Sequence, residues 1–567
     1  MERAPVHDEF PRPALRRPSL IGDGEKEVHC QRHCGYGACE DERPYDRSAH
    51  HVPRPKFRLQ RPAAGLCFDV RKRPDNSAAR AHTARVTLDP HTCYRALRAR
   101  DARFDGRFFV AVSSTRIYCR PICTVRPPKR ENCRFYPSAA AAESAGYRPC
   151  LRCRPELAPG NASVDATTRL AQAAASMMED RTLDKTGLDA IAARLGVTDR
   201  HLRRAFRAEF GVAPVEFDQT QRLLLAKRLL TDTPLPIAEV AFASGFGSVR
   251  RFNALFRQRY RFQPNRLRGE MRQRVAADDT LYFELSFRPP FDWSGLCGFL
   301  DARAIPGVES LEGGRYRRCV AINHDGTRHL GWLAIEMSKK KPTLRVSISA
   351  SLAKALPPLL SRVKALMDLA CNPAEVDGAL GALAKRHPGL RVPGAFDGFE
   401  LGVRAILGQQ VSVAAARTLA ARFAASFGEP IETPFPVLTT VFPDAELVAD
   451  LTAARVAQIG IPLARARSVV ALAQAVADGS LVLAPHADVD AGLEKLRALP
   501  GVGEWTAQYI AMRALAWPDA FPHTDLGVMK ALGEKDARRV LAASEAWRPW
   551  RAYAVMHLWQ SLTKERT

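Results

Sequence analysis

The sequence predicts a multidomain chain with four folded parts. These are a small α+β zinc domain, an all-α double helix-turn-helix domain, an α+β antiparallel-sheet domain and an all-α helix-hairpin-helix domain. Three observations lead there. Two tight cysteine pairs, Cys119-x3-Cys123 and Cys150-x2-Cys153, suit one tetrahedral zinc ion with sulfurs at about 2.3 Å. Between 165 and 268 the apolar residues recur with helical period, and two glycine turns each precede a basic segment. From 280 the period changes to alternation, and near 500 a Gly-Val-Gly hairpin separates two helical runs. At 567 residues the chain is too long for one core.

Taken in order, residues 1–85 are rich in Arg, Pro and His, lack a sustained apolar period and are expected to be disordered. His29, Cys30, His33, Cys34 and Cys39 cluster there without a core to orient them, so incidental metal binding or no role is expected. Because a Val codon serves as a bacterial start, translation from Val86 without this leader is a further expectation. The zinc domain is placed at 86–160, where RFFVAV suits a short strand leading into the Cys119 loop. Cys93 and Cys133 fall outside the ligand spacing and are expected to be buried or idle thiols. Arg120, Arg126, Arg148, Arg152 and Arg154 crowd the ligands, which predicts a surface suited to phosphate.

The double helix-turn-helix is placed at 165–275. In LDAIAARLGVTDRHLRRAFRAEFG, Leu188, Ile191, Ala192 and Leu195 share a face, Gly196 turns, and Thr198 is a candidate N-cap for a basic helix. A second copy turns at Gly245 to Gly247, with Ser248 capping the helix that carries Arg250, Arg251 and Asn253. In the sheet domain, 280–374, LYFELSF and TLRVSIS alternate, VAI near 320 and LGWLAIEM near 335 supply further strands, and helices follow from 353 to 370. Residues 375–567 return to helical period.

Net charge is +24, which favours a polyanionic partner, nucleic acid before membrane. No apolar run reaches bilayer length and no signal-peptide core opens the chain, so a cytoplasmic, nucleoid-associated protein is expected. The 13 cysteines, mostly before residue 154, then read as metal ligands and free thiols.

Three resemblances sharpen this reading. CRPIC, REN, FY and AGYRPCLRC resemble the methyl-acceptor domain of Ada-type DNA-alkylation response proteins. That resemblance implies one zinc ion on Cys119, Cys123, Cys150 and Cys153, and Cys119 as the thiolate that takes a methyl group from a methylphosphotriester. Thr115, Arg126 and Arg148 become candidate DNA contacts. On spacing alone, a purely structural zinc knuckle remains the competing reading. The second helix-turn-helix resembles the AraC-type regulator signature, which implies duplex DNA as partner of Arg203, Arg204, Arg250, Arg251 and Asn253, and RNA polymerase as a further partner.

LRALPGVGEWTAQYIAMRAL followed by FPHTDLGVMK resembles the helix-hairpin-helix DNA glycosylases. PPFDW, CNP, GALGALAKRHPGLRVPG, FELGVRAILGQQVSV and RPWRAYAVMHLW narrow the resemblance to AlkA-type 3-methyladenine glycosylases over 280–562. It implies Asp525 as the catalytic carboxylate and Trp559, Tyr509 and Trp505 as the base pocket. Gln409 or Gln410 would fill the gap left by a flipped nucleotide, and Gly501 and Gly503 would approach the phosphate, with an alkali cation at the hairpin. Trp505 stands where bifunctional relatives carry a Schiff-base lysine, which implies plain hydrolysis. Core packing is the alternative for each tryptophan. Asp519 and Glu504 are expected to be solvated bystanders. No PCHR motif occurs, so O6-methylguanine repair is not expected. The combined expectation is a methylphosphotriester sensor, a DNA-binding activator and an alkylpurine glycosylase in one chain. The rivals are a glycosylase whose front half only targets DNA, and a zinc-containing regulator without catalysis.

Overall fold

The computed structural model describes residues 89–159, 166–179, 187–233, 235–268 and 279–563. The leader, with its His/Cys cluster and Val86, lies outside the described residues. Helix α1 (Pro90–Ala99) starts where Pro90 presets the first turn and Asp89 accepts from the Thr92 amide at 2.8 Å. The aromatic and branched run after it forms β1 (Phe109–Val112), flanked by β2 (Ile117–Cys119), β3 (Cys133–Tyr136) and the short β4 (Arg148–Pro149), in the order β3-β1-β2-β4. Val110 faces Cys119 in the antiparallel β1–β2 pair, and Ile117 faces Arg148 in the parallel β2–β4 pair. This register brings Cys119 to the end of β2 and Cys150 directly after β4. Cys93 and Cys133 are buried in a separate core with Phe108 and Val110, as expected of idle thiols. Helix α2 (Ala139–Ser144) is capped by Ser138 and carries buried Glu143, which accepts from the Tyr118 hydroxyl at 2.9 Å.

Six further helices build the double helix-turn-helix. After α3 (Ala166–Glu179), α4 (Gly187–Arg194) and α5 (Asp199–Phe210) make the first unit, and the Thr198 hydroxyl accepts from the His201 amide at its start. The long α6 (Pro214–Asp232) joins it to α7 (Ile237–Ala243) and α8 (Val249–Tyr260), where Ser248 caps through the Arg251 amide at 3.2 Å. Gly245 takes φ +77° in the second turn, a conformation that favours glycine. Ile191, Leu202, Phe206 and Phe217 fill the first unit.

The second unit shares its core with the sheet that follows. β5 (Thr280–Ser286), β6 (Glu309–Glu312), β7 (Arg315–His324), β8 (Thr327–Met337) and β9 (Thr343–Ser349) pair in the order β5-β9-β8-β7-β6, all antiparallel. Alternation puts Leu281, Phe283 and Leu285 on the buried face. One continuous apolar cluster joins them to Leu223, Leu229, Phe252 and Phe256 of α6 and α8, and to Leu359 and Val363 of α10 (Leu356–Leu366); α9 (Trp293–Asp301) precedes β6. Arg228, buried on α6, donates to the Glu284 carbonyl at 2.7 Å.

Two arginines expected to face phosphate do not. Arg120 is buried against Asp105, with its Nε 2.8 Å from Oδ1. Arg154 is held by Glu156 and by Asp232 of α6 at 2.7 Å. Each guanidinium is matched by a buried carboxylate, so it ties the cysteine domain together and to α6 and is not offered to DNA.

Helices after the sheet enclose the largest core among the described residues. α11 (Gly398–Leu407), α12 (Val413–Phe427), α13 (Leu463–Ala477) and α14 (Val489–Ala498) lead through the hairpin to α15 (Glu504–Arg513), then α16 (Leu526–Leu532) and α17 (Arg551–Thr563). Asp519 is a correction to the sequence reading. It is 7% exposed and takes Arg551 Nε at 2.7 Å, with Arg548 as a second partner. Removing it strands a buried guanidinium, at a cost of about 3–5 kcal/mol. Glu504, by contrast, sits in a half-exposed pair with Arg497.

Candidate functional site

Two sites emerge. In the first, the sulfurs of Cys119, Cys123, Cys150 and Cys153 all lie within 4.8 Å of one another, and none is in a disulfide. A zinc–sulfur tetrahedron has edges of about 3.8 Å, so one ion fits this donor set. The Arg120 amide points at Cys153 Sγ at 3.4 Å, a donor suited to a metal-held thiolate. Cys119 keeps 7% exposure, and Cys153 is half-buried. Thr115 in the β1–β2 turn and Arg126 after Cys123 are exposed, and Arg148 is half-buried beside β2. With exposed Arg152, Arg126 and Arg148 are the cysteine-flanking arginines outside the buried ion pairs of Arg120 and Arg154.

On the helix-turn-helix units, Arg250 and Arg251 are exposed on α8 and Asn253 is half-buried. The opposite face of α8 is anchored by Phe252, Phe256 and Tyr260. On α5, Arg203 and Arg204 join Arg207 around one groove, with Arg203 also bonded to Asp199 at 2.7 Å.

The second site centres on Asp525. It caps α16, its Oδ1 accepting from the Val528 amide at 2.9 Å. The Trp559 indole donates to the same oxygen at 2.8 Å and the Trp505 indole to Oδ2 at 2.8 Å, so the carboxylate is clamped between two aromatic walls. Tyr509 lies one turn after Trp505 on α15, and the two rings stack at 5.3 Å with an 8° tilt. Trp559 stands 6.3 Å from Tyr509. Neither tryptophan is fully buried in the core; both are half-buried with their polar edges on Asp525.

The sequence missed two members. Phe299 of α9 stacks on Trp559 at 6.0 Å, which brings the sheet domain into the pocket. Gly527 leaves room for the clamp: a Cβ there would sit 3.1 Å from Trp559 and 3.0 Å from Asp525 Oδ1. Neither had a local signal, since each acts through a neighbour distant in sequence or through an absent side chain.

The hairpin and the glutamines sort themselves by partner. Gly501 takes φ +72°, and a Cβ there would collide with Ser468 Oγ at 2.4 Å, while Gly503 opens α15 in free space. Gln409 turns inward, donating to the Gly501 carbonyl and to Thr506 Oγ1, both at 2.9 Å. Gln410 is exposed at φ +56°. Of the pair, Gln409 braces the hairpin and Gln410 projects.

A four-cysteine cluster, two helix-turn-helix units, a five-stranded sheet and a helix-hairpin-helix region with a clamped carboxylate define a multidomain architecture. Family models match in that order: the metal binding domain of Ada at residues 92–156, a helix-turn-helix domain at 191–270, the AlkA N-terminal domain at 282–397, and the HhH-GPD superfamily of base excision DNA repair proteins at 403–539. A Mycobacterium tuberculosis protein described as "Probable bifunctional transcriptional activator/DNA repair enzyme AlkA" is 40% identical over 490 residues, 84% of this chain and 97% of its own length. The chain belongs to that family of bifunctional transcriptional activator/DNA repair enzymes. DNA-3-methyladenine glycosylase 2 of Escherichia coli is 37% identical, covering 49% of this chain and 96% of its own. The bifunctional transcriptional activator/DNA repair enzyme Ada of the same organism is 38% identical over 24% of this chain and 36% of its own. No helix among the described residues is long and apolar enough to cross a membrane.

Proposed function

We propose that this chain hydrolyses the N-glycosidic bond of alkylated purines at Asp525, and that it accepts a methyl group from DNA methylphosphotriesters on Cys119. The observation that carries the first activity is the clamp itself: one carboxylate fixed by two indole N–H groups beside a cluster of aromatic rings. A flipped nucleotide would bring its sugar to Asp525 while Trp559, Tyr509 and Trp505 hold the base. As the C1′–N bond breaks, its electron pair leaves with the base. The fixed negative charge stabilises the sugar cation and takes a proton from the water that adds at C1′. Trp505 occupies the place where a lysine would open a Schiff-base route, so the product is an abasic site in an uncut strand. Gln410 fills the vacated stack, and the backbone at Gly501 and Gly503 meets phosphate.

Cys119, Cys123, Cys150 and Cys153 would hold one zinc ion, which supplies deprotonation of the thiols at neutral pH. Thr115, Arg126 and Arg148 seat the backbone. Cys119 Sγ then attacks the phosphotriester methyl; the S–C bond forms, the C–O bond breaks, and the electron pair returns to the phosphate oxygen. The product is a neutral thioether, so one negative charge facing DNA is lost and affinity of the Arg203, Arg204, Arg250, Arg251 and Asn253 surfaces for operator duplex rises. RNA polymerase as partner of the activator half, and an alkali cation at the hairpin carbonyls, extend the same reading.

The direct test is liquid chromatography of bases released from methylated duplex DNA by the intact chain. Free 3-methyladenine is expected, with strands intact until alkali is added. No released base would reject the glycosylase assignment, and strand cutting without alkali would reject simple hydrolysis.

A further inference from the structure

Helix α2 is only six residues long, yet α5, α6 and α8 are all bonded to it. Just before its start, the Ser138 hydroxyl donates to the carbonyl of Phe210, the last residue of α5, at 2.6 Å. At its end, the Ser144 hydroxyl donates to Glu216 Oε1 of α6 at 3.0 Å. Arg259 of α8 donates to the Glu143 carbonyl at 3.1 Å. Ala139 to Ala142 are buried between these contacts, and their small side chains admit the close approach.

Glu143 joins these helices to β2. One carboxylate oxygen accepts from the Tyr118 hydroxyl at 2.9 Å, the other from Thr220 Oγ1 of α6 at 3.3 Å, and all three residues are buried. Burial lifts the Glu143 carboxyl to about 7, while the Tyr118 donor, Arg259, Thr220 and Lys227 hold it down. An apolar residue would avoid that cost of burial. A carboxyl shared by hydroxyls from two elements instead fixes one arrangement of them. Tyr118 immediately precedes Cys119, and successive side chains of a strand point to opposite faces. Pinning the Tyr118 hydroxyl in the core therefore sets the direction in which the Cys119 sulfur emerges. The other cysteine pair is tied to the same helix, because Arg154, next to Cys153, reaches Asp232 of α6 at 2.7 Å.

We propose, on the basis of the methyl-acceptor reading above, that Glu143 is a positioning residue for methyl transfer from DNA. Through Tyr118 and Thr220 it holds the Cys119 strand in a fixed relation to α5, α6 and α8, so that duplex seated on those helices presents its triester to the sulfur. Glu143 acts on the direction of the sulfur and not on its reactivity. It therefore matters for a methyl group delivered by duplex DNA and not for a donor small enough to arrive alone.

The test measures single-turnover methylation of the Cys119 peptide by mass spectrometry, with the intact zinc-loaded chain and two donors. One is duplex DNA carrying methylphosphotriesters. The other is methyl iodide, which needs no duplex and loses iodide as the S–C bond forms. Glu143→Met is expected to slow transfer from DNA about 10-fold or more, since a displacement of about 1 Å set by a distant substitution can cost about 10²-fold. Its zinc content and its rate with methyl iodide stay at the wild-type level. Thr220→Val, of the same shape and on α6, slows the DNA reaction in the same selective way, and Thr220→Ser, which keeps the hydroxyl, restores it. The double variant is no slower than Glu143→Met alone, because both substitutions cut one strut. If Glu143→Met loses zinc and both reactions, the site has collapsed and Thr220→Val decides. Wild-type transfer from DNA in Thr220→Val, or equal slowing with both donors, overturns the assignment with the acceptor reading intact. Wild-type protein that takes methyl from methyl iodide but not from triester DNA overturns both.

Discussion

Asp525→Asn should bind damaged duplex but release 3-methyladenine at least about 10²-fold more slowly, the loss typical of a preorganised charge at a developing cation. The structure adds a second reason beyond lost charge. All three N–H groups at this residue point at carboxylate oxygens: Val528 and Trp559 at Oδ1, Trp505 at Oδ2. An asparagine amide can accept on one side only, so one indole loses its partner and the pocket wall it forms is freed. Release is measured in single turnover with the intact chain, and binding by anisotropy on a duplex holding an uncleavable abasic analogue. Glu504→Gln is the proper control, because the Glu504–Arg497 pair is half-exposed and worth about 0–1 kcal/mol. Asp519 is unsuitable, since it anchors Arg551. Near-wild-type release from Asp525→Asn would take this carboxylate out of the mechanism.

Cys119→Ala is expected to abolish methyl uptake from methylphosphotriester DNA altogether, whereas Cys133→Ala leaves it unchanged. The contrast is structural. Cys119 ends β2 inside the four-sulfur cluster, while Cys133 packs with Cys93 and Phe108 and donates to the Lys129 carbonyl at 3.3 Å. Removing a zinc ligand also weakens the metal, so Cys119→His serves as companion: it keeps four ligands but no sulfur at the reacting position. Transfer of radiolabelled methyl to protein is the readout, alongside zinc content. Methyl uptake by either Cys119 variant would move the acceptor role to another cysteine, with half-buried Cys153 the next to test.

Much of this was legible in the sequence, and the reasons differ by element. The cysteine pairs, the alternating strands and the caps at Thr198 and Ser248 are local patterns, and local patterns survive folding. Asp525 and the pocket aromatics were reached through resemblance, yet their relation was not: nothing in the spacing says that Trp505 and Trp559 both donate to one carboxylate. Charge misled for the same reason. Arg120 and Arg154 sit beside zinc-ligand cysteines in the chain, but a guanidinium goes where a buried carboxylate is, and Asp105 and Asp232 supplied those. Asp519, in a turn, was read as solvated because its partner Arg551 lies 32 residues further along the chain, on α17. Gln409 and Gln410 are identical by composition and opposite in direction. The core shared by α6, α8 and the sheet was invisible too, since each half shows its own amphipathic period and neither names its partner.

Two chemistries are assigned to this one chain, and a single mass-spectrometric measurement reaches both. Intact protein is incubated with duplex DNA methylated on bases and on phosphates, and the released bases and the digested protein are read from the same reaction. The expected result is free 3-methyladenine together with one methyl group on the Cys119 peptide. Free base with unmodified cysteines, or a methylated cysteine with no free base, would contradict the claim and leave a protein with one activity.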